Sequence, residues 1–452
     1  MREVDWKLAA VVASAALVGW VASGVVNRRA TGEGAGDDAT ANPTAMLPDP
    51  TVASLVGNTP LVHLKALSAK TNRTILAKAE FLNPGGSIKD RVALQIIQDA
   101  LASGALRPGG LITEGTVGST GVSLAMLAPS YGCRAFIAMP DDAAEEKSRI
   151  LVALGAEVAR VRPVGISHPD HFVHVARRRA AAACANKIDD DDGEDRPAAP
   201  APSSSVFADQ FENLANMKAH LRTGREILRQ VKARVYLGEE GPWRGRVAFP
   251  SLSLPLSLSL SLSLSLLALT RSFLLQALGL RRIDAFVCGC GTGGTMAGVG
   301  RVLKGHDDGV RLVVADPPGS GLLNKVKRGV MYTREEAEGK RLKNPIDTIA
   351  EGVGINRLTG NFAQIVGEVD DAVRVTDQES VDMARWLLRE EGLWVGSSSA
   401  VNVCGAVKVA EGLPPGAVVV TVLCDGGARH LSKFWDGAYV DAWLGTEIDN
   451  NK

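Results

Sequence analysis

The chain carries no net charge, with 50 basic against 50 acidic residues, and its basic residues form no long run. That argues against a nucleic-acid partner. Cysteine is scarce: Cys133, Cys184, Cys288, Cys290, Cys404 and Cys424 are the six in 452 residues. No two have zinc-finger spacing, and so few in so long a chain do not make a disulfide framework. Reduced thiols in a cytosol-facing protein are the expectation. Metal-ligand clusters are scarce too. His168, His171 and His174 stand three apart, which can bring two onto one helical face. No carboxylate or cysteine is spaced to join them, so no metal site is expected. What the chain does have is length, too much for one compact core and enough for two domains with extra segments.

Residues 8–26 form one uncharged apolar run, just long enough to span a bilayer as a helix. Lys7 flanks it on one side and Arg28-Arg29 on the other, with Trp6 and Trp20 placed for an interface. Ala22-Ser23-Gly24 keeps a cleaved signal peptide open as the alternative. The expectation is a membrane anchor over residues 1–30, with the bulk of the protein facing the cytosol. Residues 31–50 are rich in Gly, Asp, Ala, Thr and Pro without apolar periodicity, and read as a disordered tether.

Beyond residue 51 strands and helices alternate. Strands are expected at Ile75–Lys78, Leu111–Thr113, Ala135–Met139, Glu157–Val161, Ile283–Cys288, Val310–Ala315 and Val418–Leu423. Helices are expected after Lys89 and at Thr120–Ala128, Ala144–Leu154, Ser380–Glu391 and Ala400–Ala410. Such alternation means an α/β fold with a mainly parallel sheet, whose ligands sit at the carboxyl ends of the strands. Two stretches interrupt it. Residues 186–205, with four consecutive Asp and then Pro, Ala and Ser, read as a solvated loop. Residues 231–275 include a nearly unbroken Leu/Ser alternation and read as a low-complexity insertion, of the kind a translated intron leaves.

Chemistry concentrates in four places. Asn83-Pro84-Gly85-Gly86-Ser87-Ile88-Lys89-Asp90-Arg91 sets a lysine in the first turn of a helix, with Ser87 as the expected N-cap. A cation is unfavourable at that end of the macrodipole, which suits an amine that must at times be neutral. Gly289-Cys290-Gly291-Thr292-Gly293-Gly294-Thr295 follows an apolar strand and opens a helix, a phosphate cradle of backbone N–H groups and hydroxyls. A dinucleotide reading of these glycines, with Asp316 as the acidic partner, leaves Lys89 without a use. Glu114 to Gly121 is a hydroxyl-rich turn suited to a carboxylate, and Gly396-Ser397-Ser398-Ser399 offers neutral hydroxyls at a further strand-to-helix junction. A lysine, a phosphate cup, a carboxylate cup and a neutral hydroxyl cluster fit pyridoxal phosphate with an amino acid. A serine rather than a carboxylate at the pyridine nitrogen favours β-elimination and β-replacement over transamination.

The sequence resembles the cysteine synthase (O-acetylserine sulfhydrylase) family from about residue 52 to 436, outside the two interruptions. The resemblance is carried by Gly57-Asn58-Thr59-Pro60-Leu61, Asn83 to Arg91, Gln210-Phe211-Glu212-Asn213 with Asn216 and His220, Gly291 to Thr295, Glu351-Gly352-Val353-Gly354 and Gly396 to Ser399. With the N-terminal run it looks most like the fungal cysteine synthase 2 group of the mitochondrial outer membrane. The resemblance implies a tryptophan-synthase-β-like fold (fold type II) over residues 51–440. Its cofactor would lie between two α/β domains, the smaller at about 92–185 inserted in the larger, with one N-terminal transmembrane helix added.

The resemblance further implies Lys89 as Schiff-base lysine and base for the α-proton, and phosphate on Gly291, Thr292, Gly293, Gly294 and Thr295. It puts Ser398 at the pyridine nitrogen, Gly352 beside the cofactor, Ser119 at both cofactor and substrate, and Thr116, Thr120 and Gln210 at the substrate. The implied reaction makes L-cysteine from O-acetyl-L-serine and sulfide, and a homodimer is implied. Val117 and Ser119 stand where the usual T-S-G-N-T loop has Ser and Asn. That leaves open a reaction on serine or another β-substituted amino acid, as in cystathionine synthesis or dehydration. A membrane-anchored cofactor-binding protein without catalysis is the remaining alternative.

Overall fold

The computed structural model describes residues 51–143, 145–185, 204–237, 282–332 and 348–450. In chain order the elements are β1 (Leu61–His63), α1 (Lys65–Thr71), β2 (Thr74–Ala79), α2 (Lys89–Ala102), β3 (Leu111–Gly115), α3 (Ser119–Leu127), β4 (Arg134–Pro140), α4 (Glu145–Ala153), β5 (Glu157–Val161), α5 (Phe172–Ala185), β6 (Ser205–Phe207) and α6 (Ala215–Leu237). After a gap come β7 (Ala285–Cys288), α7 (Gly294–His306), β8 (Arg311–Asp316), α8 (Leu322–Arg328), α9 (Gly360–Ala363), β9 (Asp371–Arg374), α10 (Asp377–Trp386), α11 (Ser397–Glu411), β10 (Val418–Leu423) and α12 (Gly437–Asn450).

Two sheets result. The larger has the order β1-β2-β10-β7-β8-β9, parallel except for the antiparallel β1–β2 edge. The smaller, β5-β4-β3-β6, is parallel throughout. The central strand of the larger sheet, Val-Val-Val-Thr-Val-Leu, is buried at every residue. That explains its apolar text, broken only by Thr421, whose hydroxyl donates to the Val287 carbonyl at 2.7 Å, since a parallel sheet covered by helices is hydrophobic on both faces. Val418, Val420 and Val422 pack with Phe286, Leu312 and Val314 beneath α6 and α7 residues Ile227, Met296 and Leu303. Val419 and Leu423 face the other way, with Val287, Val313 and α11 residues Val401, Val403 and Val409. The smaller sheet packs Ile112 and Ile137 against Val92, Ile96 and Ile97 of α2 and Leu124 of α3. Helix α2 thus belongs to the core of the smaller sheet, while its first turn is tied to the larger one. The Ile88 N–H donates to the Cys424 carbonyl at 2.8 Å, at the carboxyl end of β10.

Several expectations are revised. The run 8–26 and the tether 31–50 lie outside the described residues. Among the described residues no helix is long and apolar enough to cross a membrane. The transmembrane helix is therefore removed from the fold class, and the membrane-anchored, mitochondrial-outer-membrane placement with a cytosol-facing catalytic part is withdrawn with it. Residues 186–203 and 238–275 also lie outside the described residues, whereas 231–237 continue α6, with Val231 in the core. The helix expected at Ser380–Glu391 starts three residues earlier. Thr376 caps it reciprocally with Glu379, and after Trp386 it widens into a π-turn over Leu387–Glu391.

Helices α6 and α7 approach backbone to backbone. A Cβ on Gly298 would stand 2.4 Å from the Met217 carbonyl oxygen and 2.5 Å from His220 Cβ. Gly298→Ala must push the two helices apart. The expected cost is about 1–3 kcal/mol of stability, read as a lowered urea midpoint with unchanged slope.

Candidate active site

The turn from Asn83 to Arg91 is built by satisfying its side chains one by one. Asn83 Oδ1 accepts from the Gly57 N–H at 2.8 Å, and its Nδ2 donates to the carbonyl and to Oε2 of Glu80, both at 2.8 Å. Asp90 Oδ2 accepts from the Gly85 N–H at 2.6 Å, and Oδ1 accepts from Ser123 Oγ of α3 at 2.5 Å. Arg91 reaches Glu80 and Glu226 of α6, each at 2.7 Å. Lys78 of β2 joins Glu226 at 2.8 Å. Thr59 Oγ1 donates to Glu80 Oε1 at 2.7 Å. Ser87 Oγ accepts from the Lys89 N–H at 3.2 Å, but the helix cap position falls at Ile88.

Lys89 is the exception. Its ammonium makes no hydrogen bond or ion pair among the described residues. Burial lowers its pKa, while Cys424, Asp425 and Cys290 pull weakly the other way. The expected neutral tendency is therefore present, with desolvation as its main cause.

The cup between β7 and α7 is closed by backbone contacts that only glycine allows. A Cβ on Gly291 would lie 2.5 Å from the Gly352 carbonyl oxygen, one on Gly293 2.4 Å from Phe362 Cβ, and one on Gly294 2.0 Å from Asn216 Oδ1. Gly293 has φ +80° and caps α7, whose first-turn N–H groups border the cup. Gly289 N donates to Asn402 Oδ1 at 2.6 Å. Thr292 Oγ1 accepts from Asn216 Nδ2 at 2.9 Å, and the Thr292 carbonyl accepts from Thr359 Oγ1 at 2.7 Å. Thr295 Oγ1 lies 3.3 Å from His220 Nε2. Burial, with the Lys89 and Arg91 charges, holds His220 well below the usual imidazole range, so it is neutral there. Gly352, at φ +81°, has open space where a Cβ would point.

Two of the three serines that open α11 support backbone. Ser397 Oγ accepts from the Glu351 N–H at 2.9 Å, and Ser399 Oγ donates to the Asp425 carbonyl at 3.2 Å. Ser398 is buried against the Cys424 thiol, which burial and the Asp425 charge push up to about 12 and so keep protonated. At the turn before α3, Thr116 Oγ1 accepts from the Gly118 N–H at 3.1 Å, and Thr120 Oγ1 donates to Gln210 Oε1 at 2.6 Å. Burial raises Glu114, behind this turn, to about 8, so it is largely protonated near neutrality. At the rim, Lys147 of α4 pairs with Glu351 at 2.7 Å.

All four clusters thus lie at carboxyl ends of parallel strands or in the turn leading into α2. The structure adds residues that spacing did not single out: Asn402, Thr359, Arg429, and the pair His430–Asp425 at 3.0 Å. Asn402, Thr359 and Arg429 act through bonds to residues far along the chain, which leave no periodic mark in the text. His168, His171 and His174 stand at the entry to α5, and no metal-holding group occurs among the described residues.

The geometry fits the phosphate ester and aldehyde of pyridoxal phosphate. It offers a helix N-terminus in a cup that added Cβ atoms on Gly291, Gly293 or Gly294 would fill, and an amine of lowered pKa. The profile of the pyridoxal-phosphate dependent enzyme family matches residues 52–237 and 270–425, so the chain belongs to that family. Its cofactor is pyridoxal 5′-phosphate. Within the family the chain is similar to cysteine synthase 2 of Neurospora crassa, 46% identical over 390 residues, 85% of this chain and 72% of that one. Cysteine synthase 2 of Schizosaccharomyces pombe is 44% identical over 392 residues, 86% of this chain and 84% of that one. Among solved structures, O-ureido-L-serine synthase superposes with a TM-score of 0.62 at 27% identity, covering 87% of this chain and 98% of that one.

The buried charge cluster around Arg91 yields a test. Burial alone would raise Glu226, but Arg91 and Lys78 outweigh it and hold the carboxyl at about 2 against an ordinary 4.5. Its contribution is fully present above pH 4.5 and is lost as pH falls through about 2. Glu226→Gln leaves Arg91 and Lys78 one counter-charge short. The expected loss is about 3 kcal/mol at pH 7, with a flatter acid limb, measured by urea unfolding from pH 7 to pH 2.

Proposed function

We propose that the chain makes L-cysteine by β-replacement, taking O-acetyl-L-serine and sulfide and releasing acetate. When bound through its aldehyde, the cofactor supplies the electron sink that makes the substrate α-proton acidic. The glycine cup with Thr292 and Thr295 holds the phosphate. Ser398, whose Cys424 neighbour stays a neutral thiol, faces the pyridine nitrogen without a carboxylate to protonate it. Gly352 gives the ring room. Thr116, Ser119 and Thr120 hold the substrate carboxylate at the N-terminus of α3, Thr120 through its backbone N–H because its hydroxyl proton goes to Gln210. Lys89 moves the α-proton, and its lowered pKa leaves part of it free to accept one. A homodimer belongs to this reading. So does the Leu/Ser-rich insertion, because the family profile resumes only at residue 270.

The observation that carries the proposal is that Lys89 alone keeps an unpaired side chain in a turn where its polar neighbours are engaged. The test is visible absorbance of the full chain loaded with pyridoxal phosphate, before and after O-acetylserine without sulfide. Wild type should show a band that shifts on addition. Lys89→Ala should lose the shift and at least a thousandfold in turnover, on the order of removing the general base and covalent attachment together. A band that stays still with O-acetylserine but moves with serine would overturn the assigned substrate. No band in wild type would overturn the proposal.

A further inference from the structure

The reaction as described leaves one cation at the site without a role. Arg429, half-buried, lies in the short 3-10 turn Gly427–His430 after β10. Its Nη1 donates to Ser119 Oγ at 2.9 Å, and its Nη2 donates to the Gly85 carbonyl. Its charge also acts on Asp90. The guanidinium lies against the turn at Gly86, whose φ of +76° suits glycine; a Cβ there would be in ordinary contact with Nε at 3.6 Å. Arg429 thus joins the two turns that open α2 and α3, from a third segment of chain.

The direction of the Ser119 bond matters. A serine hydroxyl has one proton and two lone pairs, whereas a guanidinium only donates. Ser119 must therefore accept on the side of Arg429, and its proton turns elsewhere. Among the described residues Ser119 Oγ has no other hydrogen-bond partner. Its neighbour Thr120 has already given its proton to Gln210. Ser119 is the first residue of α3, where the helix N-terminus favours an anion.

We infer that Arg429 is a positioning residue for the reaction, locking the Ser119 hydroxyl as a donor toward the substrate carboxylate. A serine with a free rotor would present a lone pair as readily as a proton, and a carboxylate accepts only. Arg429 removes that choice. The inference rests on the reading of the α3 turn as the carboxylate site.

The test uses the full chain loaded with pyridoxal phosphate. L-alanine, which has the carboxylate but no leaving group, is titrated by calorimetry, and KM and kcat are measured for O-acetylserine. Arg429→Met should weaken L-alanine about tenfold, the scale of one hydrogen bond to a charged group. KM should rise by a like factor, with kcat within about twofold. In a Ser119→Ala background, Arg429→Met should change nothing further. Ser119→Asn, whose amide carries its own donors, should restore binding to Arg429→Met. Arg429→Gln, which keeps an N–H donor, should retain most of the affinity and guards against a variant that fails to fold. Unchanged L-alanine binding in Arg429→Met overturns the inference, as does a tenfold loss that persists in the Ser119→Ala background. Wild type that keeps its visible band while this coupling is absent defeats the inference alone. Wild type without the band defeats the proposed function as well.

Discussion

Everything at the site depends on a group of charges that never reaches a ligand. Arg91, Lys78, Glu80 and Glu226 lie at or below 5% exposure, two cations against two carboxylates. Burial works against every one of these charges, so the group persists only because each is paired and hydrogen-bonded. Its members come from β2, the turn after it, α2 and α6. Arg91 is two residues beyond Lys89, and Glu80 also holds Asn83, six residues before it. The turn that carries Lys89 is thus clamped at both ends, and it presents one amine because the clamp uses up its other charges.

The same division of labour recurs in the hydroxyls. Of the three serines that open α11, Ser397 and Ser399 hold backbone and Ser398 is left against Cys424. Of the residues opening α3, Thr120 is engaged by Gln210 and Ser119 is oriented from outside by Arg429. Runs of like residues read as redundant in a sequence. In the fold their partners differ from one position to the next.

Much of this was legible before any coordinates. Strands β7, β8 and β10 announce themselves because strands buried on both faces carry mostly apolar text. The glycine-rich turns announce themselves because close backbone approach admits no other residue, as at Gly293 against Phe362. Strands β1 and β9, three and four residues long at the sheet edges, have too little text to carry a period. The start of α10 was misjudged because its capping box precedes the first apolar repeat. The role of Arg429 was out of reach, since 310 residues separate it from Ser119 and nothing local marks the pair. The apolar run near the N-terminus carried an inference about membranes that the described helices do not support.

The ion pair between Lys147 and Glu351 has a consequence for access. The two side chains keep 22% and 33% of their surface in water, so their attraction is worth at most about 1 kcal/mol. Lys147 rides on a helix beside the smaller sheet, and Glu351 precedes Gly352, where a Cβ would point into open space. The rim is therefore fastened by a bond that thermal motion breaks constantly and that dissolved salt screens. The buried clamp keeps its strength in the same solution. Ionic strength can loosen this exposed link without disturbing the buried clamp.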